Sequence, residues 1–173
     1  MTEKAFINTL MHSQVDILQQ CIDLLIEMGI DYCVIGGLAV NAYVEPVVSL
    51  DLDLVIAADS IDEFGRAAEG PFNVRRSPHS LNLTSPQSDL RIQVQLDPRY
   101  QRFISNAASR KVMGYEMKVA ALEDVLQGKI WAYSDEQRRK SKRQKDLADI
   151  FRLVEAYPYL RDVLPEPIKR IDI

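Results

Sequence analysis

The chain has 173 residues, 47% of them hydrophobic and 27% charged, which fits one globular domain with a real core and excludes general disorder. Its formal net charge of −4 excludes capture of nucleic acid by overall charge, so any basic surface is local. The N-terminal MTEKAFINTL lacks the basic start and apolar stretch of a secretory signal, and no apolar run approaches the ~20 residues that span a bilayer, so the expectation is a cytoplasmic protein with no membrane partner.

The first segment, to about Met28, reads as a helix. Ile7, Met11, Leu18, Ile22 and Leu25 recur at three-, four- or seven-residue steps and form one apolar stripe. Gly29 stands where a glycine ends a helix. A short strand over 31–35 follows and stops at Gly36-Gly37. Cys21 and Cys33 sit in these apolar stretches and are read as reduced core residues. Leu38 to Tyr43 reads as a short helix stopped by Pro46.

Leu50 to Ile56 alternates: Leu50, Leu52, Leu54 and Ile56 point one way, Asp51, Asp53 and Val55 the other. A helix is expected over 61–68, then strands over 72–74 and 81–84 around a turn that contains Pro78. Leu90 to Leu96 alternates again, with Arg91, Gln93 and Gln95 on its polar side. A helix follows Pro98, and 111–119 reads as a hairpin turning at Gly114. One helix then carries Leu122, Val125, Ile130 and Trp131. A basic stretch leads into a second helix with Leu147, Ile150, Phe151 and Val154. Pro165 and Pro167 mark the end of regular structure. The fold class is α+β: a mixed sheet flanked by helices, with a helical C-terminal part. One domain is expected over 1–173, divided into a sheet core with its N-terminal helix (1–120) and helices (121–173).

Two features carry chemistry. A strand that ends in two glycines and opens a helix lets backbone N–H groups approach a phosphate, because no Cβ blocks the way. Carboxylates at i and i+2 on a strand share a face, so Asp51 and Asp53 reach one ion together; Mg²⁺ uses such a pair, with phosphate and water completing its shell. The bland alternative is a solvated strand face. The aliphatic opposite face and the glycine turn shortly upstream favour the site.

These stretches, Tyr32-Cys-Val-Ile-Gly-Gly-Leu-Ala-Val-Asn-Ala-Tyr43 and Ser49-Leu-Asp-Leu-Asp-Leu-Val-Ile56, resemble the signature of the nucleotidyltransferase superfamily. Lys129-Ile-Trp-Ala132 and Arg143-Gln-Lys-Asp-Leu-Ala-Asp-Ile150 resemble the later K-x-x-A and R-x-K-D-x-x-D-[IL] motifs of its AbiEii-like branch, which includes toxins of toxin–antitoxin pairs. The resemblance spans roughly residues 30–154. It implies the nucleotidyltransferase fold, NTP as donor, Gly36 and Gly37 on its phosphates, and Mg²⁺ on Asp51 and Asp53. The implied reaction transfers NMP to an acceptor hydroxyl, with release of pyrophosphate. The acceptor stays open among RNA such as a tRNA end, protein and small molecule. A cognate antitoxin or other partner protein is implied with the toxin role.

One position departs from the pattern. The third acid of the family falls in a motif like R-[IV]-D-[VIL], and the matching stretch is Arg91-Ile-Gln-Val94, with Gln93 in the acid's place. An amide oxygen can join a metal as a neutral ligand but cannot act as a base. Asp97 shares the strand parity of Gln93, and Asp89 is a second candidate, yet both are read as turn residues. A regulatory module that binds nucleotide and metal but has lost turnover is therefore the alternative function.

The residues alone leave Lys129 open between a lysine that extends to solvent and a contact to nucleotide phosphate. The resemblance implies the second, with a catalytic role. Asp146 and Asp149 share a helical face, either solvated beside Arg143 and Lys145 or, as the resemblance implies, in the nucleotide cleft beside Lys129. The run Arg138, Arg139, Lys140, Lys142, Arg143 and Lys145 is read as a solvated face, with an acceptor phosphate site as the sharper alternative. His12 and His79 lack nearby metal-ligand companions and receive no role.

Overall fold

The computed structural model describes residues 1–171. Residues 172 and 173, the end of the expected helical part, lie outside the described residues. The N-terminal segment is two helices rather than the single one its apolar stripe suggests: α1 (Glu3–Leu10) and α2 (Ile17–Glu27). The break has local causes. His12 takes a φ of +46°, and the Asp16 carboxylate accepts the Gln19 N–H at 3.0 Å, which starts a new helix. The stripe survives the break because both helices face the same core; Ile7, Met11, Leu18, Ile22 and Leu25 are all buried.

Gly29 ends α2 as expected. It has φ +64°, and the N–H groups of Gly29 and Ile30 donate to the carbonyls of Ile26 and Leu25, each at 3.0 Å. A Cβ at Gly29 would meet nothing within 4 Å, so Gly29→Ala isolates backbone strain. It is expected to cost about 1–2 kcal/mol in urea denaturation with no other change. A loss under about 0.3 kcal/mol would show that this helix end does not need the left-handed conformation.

The sheet contains β1 (Tyr32–Ile35), β2 (Asp51–Ile56), β3 (Asn73–Arg76), β4 (Ser80–Ser85), β5 (Ser88–Gln95), β6 (Ala108–Val112) and β7 (Tyr115–Val119). Their spatial order is β3-β4-β5-β2-β1-β7-β6. The sheet is mixed: β2 runs parallel to β5 and β1 parallel to β7, and the remaining neighbours are antiparallel. The β6–β7 hairpin turns at Met113 and Gly114, both at positive φ, the backbone that matches strand twist in a two-residue turn. Leu52, Leu54 and Ile56 of β2, and Leu90, Ile92 and Val94 of β5, are buried as the alternation requires. Cys21 and Cys33 are buried and free, and burial pushes both thiols up to about 12, so they stay protonated.

The remaining helices are α3 (Gly36–Val40), α4 (Ile61–Ala68), α5 (Phe103–Asn106), α6 (Leu122–Ser134), α7 (Lys140–Ala156) and α8 (Glu166–Lys169). The hairpin starts earlier than expected, at Ala108, and β3 runs two residues further, to Arg76, while four details of the helices differ from the sequence expectation. The first is α3, which opens at Gly36 itself, two residues early. After Pro98 comes a 3₁₀ helix, Pro98–Arg102, and only then the single-turn α5. The basic run does not lead into α7 but largely belongs to it, since only Arg138 and Arg139 precede Lys140. Finally, α8 continues beyond Pro165, with Pro167 in its first turn, where a missing N–H costs nothing. Helices α6 and α7 pack as a pair, and α3 contacts both, which brings the glycine turn under the C-terminal helices. Among the described residues no helix is long and apolar enough to cross a membrane.

Candidate active site

Strand pairing builds the acidic centre. Antiparallel pairing of β1 with β2 sets Ile35 opposite Asp53, so the chain leaves β1 directly over that carboxylate. Parallel pairing of β2 with β5 sets Asp51 opposite Arg91 and Asp53 opposite Gln93. Gly36 follows Ile35 with φ +71°, and a Cβ there would lie 3.0 Å from Asp53 Cγ and nearer still to Oδ2. Both the backbone angle and the close approach therefore require glycine. Gly37 faces Ser49, whose Oγ would lie 3.5 Å from an added Cβ, an ordinary contact.

The two carboxylates have different surroundings. The Asp51 carboxylate forms ion pairs with Arg91, whose Nε lies 2.8 Å away, and with Lys142, whose Nζ lies 3.5 Å away. The Asp53 carboxylate takes no hydrogen bond or ion pair from another described residue. Burial, reinforced by Asp51, pushes its carboxyl up to about 6, while Lys129, Arg138 and Lys142 hold it from rising further. The folded carboxyl thus binds its proton more tightly than the unfolded one at 3.8. Its contribution to stability is fully present below pH 3.8 and is lost as pH rises through about 6. Asp53→Asn is neutral throughout, so in chelator it should be more stable than the wild type at pH 8, by at most about 3 kcal/mol, and near parity at low pH. Urea denaturation at about pH 3.5 and at pH 8 checks this, and a variant less stable at pH 8 would contradict it.

Lys129 is buried, with its side chain 10% exposed. Its ammonium donates to Asp146 Oδ1 at 3.1 Å and lies 2.8 Å from Asp149 Oδ2. Burial opposes its charge, but the two acids outweigh that and raise its pKa. The acids are not the solvated partners of Arg143 and Lys145. Asp146 also accepts Arg138 Nε at 2.7 Å, and Asp149 also accepts Arg152 Nη1 at 2.7 Å. Arg152 then donates to the Glu45 carbonyl at 2.6 Å, which ties α7 to the loop between α3 and β2. Asn41 holds that loop from the other side, donating to the Val47 carbonyl and accepting its N–H.

Three adjoining cavities meet at Asp53 and Arg138. One continues past Gln93, Gln95 and Tyr100 to Gly128. Burial pushes the Tyr100 phenol up to about 12, so it stays a donor. A second lies along Gly37, Ser49, Lys142, Lys145 and Arg152. The third follows β5 and β4 past Gln93, Arg91, Asn82 and Thr84. Asp97 and Asp89 are outside this cleft. Asp97 caps the 3₁₀ turn through the Arg99 N–H at 2.9 Å, and Asp89 pairs with His12 at 2.6 Å.

The donor set suits a hard cation. Asp51 and Asp53 share a face, Gln93 offers an amide oxygen beside them, and the unpaired, partly buried Asp53 gains most from a positive charge. Among the described residues no group of three or more His, Cys, Asp or Glu side chains could hold a metal, so phosphate oxygens and water would complete an octahedral shell.

The sequence reading did not assign Arg91 and Arg152 to the site, and it held Arg138 and Lys142 only within the alternative of an acceptor phosphate site on the basic run. For α7 a signal existed: Lys142, Lys145, Asp149 and Arg152 follow three- and four-residue steps and therefore share one face. For Arg91 there was none, because its place beside Asp51 comes from strand pairing.

The backbone resembles several solved structures. Lincosamide adenylyltransferase LnuA bound to lincomycin superposes at TM-score 0.55, with 12% identity over 79% of this chain and 95% of that one. ANT(2'')-Ia in complex with adenylyl-2''-tobramycin superposes at 0.60, with 15% identity over 90% and 92%. The chain has the nucleotidyltransferase fold. An antigenic nucleotidyltransferase-like protein from Paracoccidioides brasiliensis shares it too, at TM-score 0.52 and 20% identity over 86% and 75%. No protein-family model matches the sequence, and no curated protein matches it either. The likeness lies in the nucleotidyltransferase fold, at identities too low to carry residue roles across.

Proposed function

We propose that this chain transfers a nucleoside monophosphate from an NTP to an acceptor oxygen. The observation that carries the reading is the convergence on one carboxylate, Asp53, of the glycine opening of α3, the acidic face of β2 and the Lys129 pair with Asp146 and Asp149. Asp51 and Asp53 would hold Mg²⁺, which when bound neutralises phosphate charge and favours in-line displacement at the α-phosphorus. Gly37, without a side chain, lets the triphosphate approach the backbone, and Arg138, Lys142 and Lys145 face the same cavity with positive charge. Lys129 steadies the nucleotide side while Asp146 and Asp149 hold it in place. The Lys129-to-Ala132 and Arg143-to-Ile150 motifs support the finer assignment to the AbiEii-like branch, and with it a toxin–antitoxin role, a cognate antitoxin and an RNA or protein acceptor. The adenylylated tobramycin and the lincomycin of the solved structures support a small-molecule acceptor instead.

A second reading, a nucleotide-binding module without turnover, is favoured by Gln93, the residue paired with Asp53 on β5. Calorimetric NTP binding and pyrophosphate release, each with Mg²⁺, separate the two. Release that disappears in Asp51→Asn/Asp53→Asn supports the enzyme. Metal-dependent binding without release supports the module. Unchanged binding of nucleotide and metal in the double variant would overturn the site.

A further inference from the structure

A hydroxyl acceptor must lose a proton as it attacks, and a neutral amide cannot take it. The cavity that runs from Asp53 past Gln93 has a lining suited to another kind of nucleophile. Apart from Asp51 and Asp53, its polar side chains are Asn82, Thr84, Gln93, Arg91, Arg138 and Lys142. None of the six is a carboxylate, an imidazole or a thiol, and three are cations. Gln93 and Asn82 stand opposite each other across the β4–β5 pair, so two side-chain amides lie side by side. Arg91 meets Asp51 through Nε, and Arg138 meets Asp146 through Nε. Neither guanidinium spends its terminal amino groups on a hydrogen bond to a described residue. Arg91 and Arg138 are also the more exposed members of their pairs, with side chains 61% and 38% exposed. Planar forks with free termini suit phosphate geometry, and the lining carries three cations against its two carboxylates, Asp51 and Asp53.

We propose that the acceptor is a phosphomonoester, bound in the cavity lined by Asn82, Gln93, Arg91, Arg138 and Lys142. This rests on the transfer reading and narrows its substrate class. An anionic phosphate oxygen attacks the α-phosphorus of the NTP and forms a new P–O–P bridge. The bond from the α-phosphorus to the β-bridging oxygen breaks, and its electron pair leaves with pyrophosphate. No proton leaves the nucleophile, so no base is needed, and an acid at position 93 would repel the acceptor.

Phenyl phosphate, benzoate and benzyl alcohol serve as matched probes on the full chain. In the absence of NTP and Mg²⁺, calorimetry should detect phenyl phosphate, with affinity reduced about ten-fold in Arg91→Gln and measurably in Asn82→Leu. Binding unchanged in both variants overturns the subsite. With labelled NTP and Mg²⁺, phenyl phosphate should be nucleotidylated in preference to benzyl alcohol, and Gln93→Asp should reverse that preference. Equal or better use of benzyl alcohol by the wild type overturns the proposal, and benzoate as the favoured acceptor overturns the phosphate assignment. Absence of pyrophosphate release with every probe overturns the transfer reading and the acceptor role together, while the binding arm still decides whether the anion subsite exists.

Discussion

Lys129→Met is expected to cost about 3–5 kcal/mol of folding stability, the range for removing one member of a buried ion network. Methionine keeps the length and removes the charge. It leaves Asp146, 2% exposed, and Asp149, 14% exposed, each with a single remaining cation, Arg138 and Arg152 respectively. Adding Asp149→Asn should recover part of the loss, because Asp146 keeps Arg138. The same change reaches the acidic centre. Lys129 is the largest influence holding the Asp53 carboxyl down against burial. Without it Asp53 keeps its proton to higher pH, and Mg²⁺ titrations should show the onset of binding moving upward from near pH 6. Denaturant melts of the two variants and Mg²⁺ titrations across pH read both effects. A loss below about 1 kcal/mol would mean that water screens the pairs as it does at a surface.

Gly36→Ala should harm both fold and site. A left-handed φ costs a non-glycine residue about 1–2 kcal/mol, and here the new methyl also meets Asp53 Cγ at 3.0 Å and Cβ at 3.1 Å. The carboxylate must rotate away from its partner on the shared face. Mg²⁺-dependent nucleotide binding should then weaken by about ten-fold or more, the scale of one well-placed charged contact. Gly37→Ala is the control on the next residue. Its Cβ finds only an ordinary contact with Ser49, so stability should hold while the backbone approach to phosphate narrows. Calorimetry of both variants with NTP and Mg²⁺ separates the roles. If Gly36→Ala bound as tightly as wild type, the glycine would serve the fold alone.

Much of the architecture was legible in local pattern. The α4 boundaries, the β6–β7 turn and the glycine end of α2 match the sequence expectation, because each depends on a few neighbouring residues. The two-helix N-terminus was missed because the apolar stripe continues across the break. The signals for that break were polar, in Ser13 and the capping Asp16, and a period that tracks apolar residues does not register them.

The sequence by itself determined the chemistry on offer: two carboxylates on one strand face, two glycines after the preceding strand, an amide where an acid was expected, and a lysine followed by two acids a helix later. Tertiary structure decided how these act on one another. Parallel pairing of β2 with β5 sets Gln93 beside Asp53 and Arg91 beside Asp51, and packing of α6 on α7 buries Lys129 between its acids. The reason is range. Backbone periodicity and capping are settled within a turn or two of chain. Strand partners, burial and the charge around a carboxylate depend on residues up to about a hundred positions away, brought together only when the sheet closes.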